Sequence, residues 1–315
     1  MGDDPRVWNE PSYVGLHHEG ELCKRVEEAY SRLANCSLCP RECRVNRLVG
    51  ERGFCGSGVD PVVASWNLHR WEEPPISGTR GSGTIFFTHC TGRCLFCQNY
   101  PISQLGVGNV ITGDDLADIM LELQDRGAHN INLVTPTHFV PQIMSALLKA
   151  IPRGLRLPLV YNSSGYEKEE TLRLLEDVVD VYLPDAKYAD DSIARELSGF
   201  VKYTTHNRVA LREMHRQVGD HLLLDEQGVA LRGMIVRHMV LPEGMAGTGA
   251  VMRWIADYLS PHVYVSIMDQ YFPAHKAVGH PILGRKITPE EYQTAFEALE
   301  DAGLKNGWLQ EHDLN

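Results

Sequence analysis

The chain has 315 residues, of which 43% are hydrophobic and 23% charged, and its formal net charge is -11. This composition is ordinary for a globular protein of one large domain or two modest ones, and nothing in it suggests disorder. The negative charge disfavours binding to nucleic acid and to anionic membrane surfaces. Since no apolar run approaches about 18 residues and no apolar signal core follows Met1, we expect a cytoplasmic protein.

The N-terminal part of the chain is rich in cysteine. All eight cysteines lie between Cys23 and Cys97. Clustered cysteines in a chain without a secretory signal favour metal binding over a disulfide framework. We therefore expect metal sites in the first third of the chain, and we expect the isolated Cys23 to be a structural thiol.

Residues 1–60 are predicted to form an irregular arm (1–20), an amphipathic helix (21–33) and a small metal-binding module. The module contains four cysteines that can surround one tetrahedral centre: Cys36, Cys39, Cys43 and Cys55. Zinc and an iron-sulfur cluster both fit four thiolates. Zinc would serve folding alone, whereas a cluster could also pass electrons onward. Four free thiols are the remaining alternative.

From residue 84 onwards, short apolar strands alternate with helical segments. The predicted strands are residues 84–88, 130–134, 158–162, 180–183, 233–240 and 263–268, and the helices between them are 114–126, 140–151, 168–176, 203–218 and 250–259. Strands that alternate with helices predict an α/β fold with a parallel sheet. Six units are too few to close an eight-stranded barrel, so we predict an open partial (β/α)6 barrel over residues 61–287, followed by a helix and tail over 288–315.

Three cysteines directly follow the first of these strands: Cys90, Cys94 and Cys97. They can hold an iron-sulfur cube but supply only three ligands, so one iron stays free to bind a small molecule. The alternative is a zinc knuckle or a cluster of thiols without a cofactor. The spacing, with Phe96 before the third cysteine, resembles the signature of the radical S-adenosylmethionine (SAM) superfamily.

The flanking residues 72–83 and 98–100 are similar to those of the branch of pyruvate formate-lyase activating enzyme-like proteins, and the resemblance runs from about residue 36 to about 285. It implies a partial barrel, a [4Fe-4S] cluster on the three cysteines, and SAM as the molecule at the open iron. It further implies reductive cleavage of SAM to a 5'-deoxyadenosyl radical that abstracts hydrogen from a protein, peptide or small molecule. A glycyl radical enzyme as target and an electron donor such as flavodoxin or ferredoxin belong to the same expectation.

In parallel α/β folds the ligand lies at the carboxyl ends of the strands, so polar residues that follow each strand are candidates. We expect SAM contacts from Phe96, Thr135, Thr137, Asn162, Ser163, Asp185 and Lys187, and substrate contacts from His138, Arg237, Gln270 and Tyr271. Asp185 and Lys187 resemble the Asp-x-Lys element of activating enzymes, although a plain ion pair is an alternative. Thr135 and Thr137 stand where related activases carry a glycine-rich segment.

The main rival hypothesis is an iron-sulfur or zinc protein that carries electrons or serves as a scaffold without turnover. Such a protein has no reason to bind SAM. Detectable SAM affinity therefore separates the two hypotheses.

Overall fold

The computed structural model describes residues 10–309, in which one ten-stranded sheet runs through the chain. Its parallel strands are β2 (Ser82–Phe87), β4 (Ile131–Val134), β5 (Leu159–Ser163), β6 (Val181–Pro184), β8 (Ala230–Met239), β9 (Tyr264–Met268) and β10 (Asn306–Leu309). The first six are the strands predicted from the sequence. The predicted α/β class with a mostly parallel sheet is therefore confirmed, and its form is consistent with a partial barrel.

The two edges of the sheet were not predicted. On one side, β1 (Val62–His69) pairs antiparallel with β2, and β3 (Asn109–Val110) pairs antiparallel with β1. On the other side, β10 adds a seventh parallel strand beside β9. The sheet path thus runs β10-β9-β8-β6-β5-β4-β2-β1-β3, with the short β7 (Leu223–Leu224) attached to β8.

Helices follow most of the parallel strands. The predicted ones are observed as α5 (Gly113–Asp125), α6 (Val140–Ala150), α7 (Glu169–Leu174), α9 (Tyr203–Val218), α10 (Thr248–Tyr258) and α11 (Pro289–Asp301). Thr112 accepts a hydrogen bond from the Asp115 amide while the Asp115 carboxylate accepts one from the Thr112 amide, a capping box that fixes where α5 begins. The short α3 (Pro74–Ser77), α4 (Tyr100–Ser103) and α8 (Asp191–Ser198) were not predicted.

The N-terminal residues are more ordered than expected. The predicted irregular arm is wrong for α1 (Ser12–His18), which buries Tyr13, Val14 and Leu16, and residues 1–9 of that arm lie outside the described residues. The next helix, α2 (Glu21–Ser31), is the predicted amphipathic helix, and a 3-10 turn extends it to Asn35. The four-cysteine segment lies between this turn and β1.

Alternate residues of β5, β6 and β8 divide the core into two parts. Ile76 of α3 packs with Val160, Val181, Leu183 and Ile235 in a small apolar cluster, whereas the opposite face of the strands joins the larger core beneath the helices. Continuing the small-cluster face by two residues along each strand leads to Asn162, Asp185 and Arg237. The polar site therefore lies directly beyond an apolar layer.

Two further expectations concern membrane-spanning helices and the domain boundaries. Among residues 10–309, none of the helices is long and apolar enough to cross a membrane. The predicted boundaries at residues 60 and 287 stay a prediction, and residues 310–315 of the predicted tail lie outside the described residues.

Candidate functional site

The three cysteines of the predicted cluster site lie on one loop that follows β2, and all three are half-buried. Each sulfur has a polar neighbour. The Gly92 amide donates to Cys90 Sγ at 3.3 Å, and the Ser198 hydroxyl donates to Cys94 Sγ at 3.0 Å. The Cys97 sulfur lies 3.1 Å from the Ser103 oxygen. Hydrogen bonds of this kind stabilise thiolate ligands and tune the potential of a bound cluster.

The backbone of this loop is anchored to α8. The amides of Arg93 and Leu95 donate to the carbonyls of Ser198 and Leu197 at 2.9 and 2.8 Å. Residues 191–198 form α8 because Asp190 caps its first turn, so a helix absent from the sequence-based prediction holds the cysteine loop in place.

Phe96 anchors the same loop on its other side. Its ring is buried and packs edge-on against Tyr271, with centroids 5.6 Å apart. The Tyr271 hydroxyl donates to the Leu283 carbonyl at 2.7 Å. Gln270 contributes through its carbonyl, which accepts a hydrogen bond from Gln98, while its side-chain amide lies 3.2 Å from the Met268 sulfur. Gln270 and Tyr271, predicted as substrate residues, thus support the loop.

A cluster of charged side chains lies at the carboxyl ends of β5, β6 and β8. Arg237 donates to Asp185 Oδ1 at 3.1 Å, to Asn162 Oδ1 at 2.6 Å and to Glu72 Oε2 at 3.4 Å. Lys187 Nζ forms an ion pair of 2.6 Å with Asp185 Oδ2. The structure therefore brings together four of the predicted site residues and adds Glu72, which precedes α3.

The ionisation of this cluster follows from burial and from neighbouring charges. Burial raises the pKa of Asp185, but Lys187 and Arg237 outweigh burial and hold that pKa below its ordinary value. Burial lowers the pKa of Lys187, but Asp185 and Cys94 outweigh it, so the ammonium stays charged. For Glu72 burial dominates over Arg237 and raises the pKa to about 7. A fixed ion pair therefore stands beside a carboxyl group that can hold a proton near neutral pH.

Thr135 and Thr137, which follow β4, contact different parts of the protein. Thr135 has a φ of 59° and its amide donates to the Asn162 carbonyl at 2.9 Å, so it lies beside the charged cluster in a backbone conformation that glycine adopts more easily. Thr137 instead donates to the buried Glu167 at 2.7 Å. Ser163 is also buried and accepts a hydrogen bond from the Gly165 amide at 3.2 Å.

His138 lies in a different environment from the other predicted substrate residues. Its ring is buried, its Nε2 lies 2.7 Å from the Thr88 carbonyl oxygen, and its Nδ1 has no partner. His138 also lines a small cavity together with the four N-terminal cysteines, and its backbone carbonyl accepts a hydrogen bond from Arg47 at 2.8 Å. The structure thus places His138 at the four-cysteine segment.

The four-cysteine segment contacts the Cys90 loop directly. Arg41 donates from its Nε to the Thr91 carbonyl at 2.9 Å, and Arg93 donates to the Phe54 carbonyl at 2.6 Å. Both guanidinium groups also lie over the Phe54 ring, 3.7 and 4.6 Å from its centroid. Two cysteine-rich segments that are separate in sequence therefore share one interface.

The donors on the Cys90 loop fit an iron-sulfur cluster. Three thiols with hydrogen-bonding neighbours are the ligand set that a [4Fe-4S] cluster with one open iron needs. Across residues 10–309, no three His, Cys, Asp or Glu side chains are grouped tightly enough to hold a single metal ion. A cluster does not require such a grouping, because each ligand binds a separate iron.

Several supporting residues could not be recognised from the sequence. Ser198 and Arg41 contact the cysteine loop from distant segments, and no local pattern marks them. Ser103 lies only six residues after Cys97, but no local pattern marks it either. Glu72 carries a weak signal, since it belongs to an acidic pair just before the Pro-rich turn of α3.

Comparison with known proteins shows what this chain is similar to. A sequence model of the radical SAM superfamily matches residues 84–220. The chain is 32% identical over 290 residues to the uncharacterized protein MJ0674 of Methanocaldococcus jannaschii. This alignment covers 89% of this chain and 78% of that protein. The chain is also 24% identical over 163 residues to MJ0808 of the same organism, covering 44% of this chain and 46% of that protein.

Among solved structures, the FeFe-hydrogenase maturase HydG from Carboxydothermus hydrogenoformans aligns with a TM-score of 0.46 at 12% identity, covering 95% of this chain and 68% of HydG. Methylornithine synthase (PylB) aligns with a TM-score of 0.42 at 14% identity, covering 96% and 88%. TYW1 with a bound lysine-pyruvate adduct aligns with a TM-score of 0.44 at 11% identity, covering 69% and 73%. The match to the superfamily's sequence model therefore makes residues 84–220, which include Cys90, Cys94 and Cys97, similar to the radical SAM superfamily.

Proposed function

We propose that this protein reductively cleaves SAM at a [4Fe-4S] cluster held by Cys90, Cys94 and Cys97. The radical formed from SAM abstracts a hydrogen atom from a protein, peptide or small-molecule substrate. The observation that carries the proposal is the cysteine loop itself, at the carboxyl end of β2, with a hydrogen-bonding neighbour at each sulfur.

The protein's own residues bind and orient SAM in this proposal. When bound, the cluster supplies one electron that splits SAM into methionine and a 5'-deoxyadenosyl radical. Lys187, kept charged by Asp185, offers a cation to the methionine carboxylate. Asn162 and Ser163 offer hydrogen bonds to the ribose or the carboxylate. Thr135 contacts the amino group of the methionine part of SAM.

Arg237 positions these groups. It ties Asn162 of β5 to Asp185, which follows β6, and to Glu72, so three separate segments are held in one arrangement. Pre-organised charges of this kind lose little entropy when a ligand binds. We infer that Arg237 sets the shape of the SAM pocket.

The four-cysteine segment shields one side of the cluster loop. Arg41 and Arg93 link the two segments, and both guanidinium groups lie over the ring of Phe54. A radical reaction needs this shielding, because oxygen would react with the radical and with the cluster. We include a second metal centre at the four N-terminal cysteines in the proposal.

The narrower proposal is that the chain is an activase of the pyruvate formate-lyase activating enzyme type, with a protein glycyl residue as target and a flavodoxin or ferredoxin as electron donor. Its support is the sequence resemblance of residues 72–100. A co-expressed glycyl radical enzyme would then acquire a stable organic radical signal, measured by electron paramagnetic resonance (EPR), only in the presence of this protein.

The principal test is an anaerobic assay of 5'-deoxyadenosine. The protein is reconstituted with iron and sulfide and incubated with SAM and dithionite. We expect 5'-deoxyadenosine, and we expect Cys94→Ala to abolish it. Cys23→Ala is the matched control, since Cys23 is an exposed cysteine outside both cysteine sets.

SAM binding is measured in parallel as a change in the EPR spectrum of the reduced cluster. A fully loaded protein that shows neither this change nor 5'-deoxyadenosine would refute the proposal and favour an electron carrier.

A further inference from the structure

A cavity of about 540 Å³ lies between α9 and α10, and its lining contains none of the residues assigned to SAM or to either set of cysteines. Three arginines line it: Arg208 and Arg212 of α9 and Arg253 of α10. Arg212 and Arg253 are exposed, and Arg208 is half-buried. A volume of this size is within the range of small-molecule sites. Such a concentration of cations stands out in a chain whose formal net charge is -11.

Two aromatic rings of α10 locate the arginine side chains of α9. The Cζ atoms of Arg208 and Arg212 lie 5.5 and 5.6 Å from the centroid of the Trp254 ring, which is 8% exposed. Arg212 Cζ also lies 5.4 Å from the centroid of the Tyr258 ring, and the two rings stack with centroids 5.9 Å apart. Because both guanidinium groups lie over the same buried ring, their charges are held close together.

These arginines have no acidic partner in the protein. Arg216, one turn further along α9, pairs with Glu176 at 2.9 Å. Arg208, Arg212 and Arg253 form no ion pair or hydrogen bond within residues 10–309. Arg208 and Arg212 are four residues apart on one helix face, where like charges repel each other. A bound anion removes this repulsion and accepts hydrogen bonds from both guanidinium groups.

The charge balance of the cavity indicates the class of anion. Within residues 10–309, Asp257 is the one acidic residue in the lining, so three guanidinium groups and one carboxylate leave two positive charges in excess. A phosphate monoester carries about -1.5 to -2 charge at pH 7 and has three acceptor oxygens. A carboxylate carries one negative charge and has two oxygens. The phosphate group is therefore the better match in charge and in number of acceptors.

We propose that the cavity between α9 and α10 binds the phosphate group of a phosphate monoester through Arg208 and Arg212, with Arg253 as the third cation. A phosphate group fills only part of the volume, so the remaining space takes the organic part of the ligand beside Trp254 and Tyr258. The inference goes beyond the proposed function, because none of these residues has a role in SAM cleavage there.

The test is anaerobic isothermal titration calorimetry of the reconstituted protein with phenyl phosphate at low ionic strength. We expect binding, and we expect Arg212→Gln to weaken it about tenfold, which is the loss typical of a charge-assisted hydrogen bond. Arg253→Gln leaves the cation–π contacts in place and should weaken binding in the same direction, so the test does not depend on one variant folding. Arg70→Gln is the matched control, since Arg70 is another exposed arginine without an ion pair within residues 10–309 and directly follows β1.

Two further ligands define the specificity of the site. Benzoate has one carboxylate in place of the phosphate group, and we expect it to bind at least tenfold more weakly than phenyl phosphate. A phosphoserine pentapeptide distinguishes two sources of the group. Tighter binding of the peptide than of phenyl phosphate supports a phosphorylated protein as the ligand, and weaker or equal binding supports a small phosphorylated molecule.

Three results would overturn the inference: no binding of phenyl phosphate, equal binding by the parent protein and both arginine variants, or benzoate binding as tightly as phenyl phosphate. The titration does not involve SAM, so this result and the 5'-deoxyadenosine assay can fail independently.

Discussion

Glu167 allows a quantitative test of how burial changes the pKa of a carboxyl group and, through it, the pH dependence of the free energy of unfolding. Its side chain is 1% exposed and accepts hydrogen bonds from Thr137 at 2.7 Å and from Tyr161 at 3.3 Å, and it forms no ion pair within residues 10–309. Burial dominates over these hydrogen bonds and raises the pKa of Glu167 from 4.5 to about 7. The folded protein therefore holds a proton here over a pH range in which the unfolded chain has lost it.

The sign of the effect on stability follows from proton linkage. Because the folded pKa is above the unfolded pKa, the contribution of Glu167 to the free energy of unfolding is fully present below pH 4.5 and is lost as the pH rises through 7. The rise of the Glu167 pKa from 4.5 to about 7 corresponds to a contribution of roughly 3 kcal/mol to the free energy of unfolding. About 2.5 kcal/mol of this contribution is lost between pH 5 and pH 8.5.

The perturbation is Glu167→Gln, which keeps the shape of the side chain and removes its titration. We expect the parent protein to lose about 2.5 kcal/mol more than the variant between pH 5 and pH 8.5, measured by urea unfolding under anaerobic conditions. Asp180, whose pKa burial also raises to about 7, is present in both proteins and cancels in the comparison. Glu170→Gln, at an exposed neighbouring position, is the control. An equal pH dependence in parent and Glu167→Gln would refute the reasoning.

Three further predictions concern the site. Ser198→Ala removes the hydrogen bond to Cys94, so the reduction potential of the cluster proposed at Cys90, Cys94 and Cys97 should fall by on the order of 60 mV in a redox titration. Ser192→Ala, on the same helix, is the control. Arg237→Met removes the cation beside Glu72 and one of the two cations at Asp185, and should lower the free energy of unfolding by about 3 kcal/mol, of which Arg237→Lys should recover only part. Tyr271→Phe should cost about 1 kcal/mol of stability and leave 5'-deoxyadenosine formation unchanged, whereas a large loss of product would restore Tyr271 as a substrate contact.

The six central strands and most helices could be predicted because their signal is local. Residues 131–134 are apolar at every position but Asn132, and the helix after them repeats apolar residues at the helical period. The cysteine spacing at 90–97 is equally local. Edge strands carry weaker signals: β1 has polar and exposed residues over most of its length, and β10 begins with Asn306 and Gly307, two residue types that are depleted in strands.

The sequence by itself determined the class of the fold, the superfamily resemblance and the three cysteines on one loop, since each depends on residues close together in the chain. Only the tertiary structure placed Ser198 beside Cys94, joined Glu72 to Arg237, and brought His138 to the cavity lined by the N-terminal cysteines. Each of these pairs is separated by about 80 or more residues and is brought together by the order of strands in the sheet. Hydrophobic periodicity specifies which face of an element is buried, but it does not specify which distant polar group that element will meet.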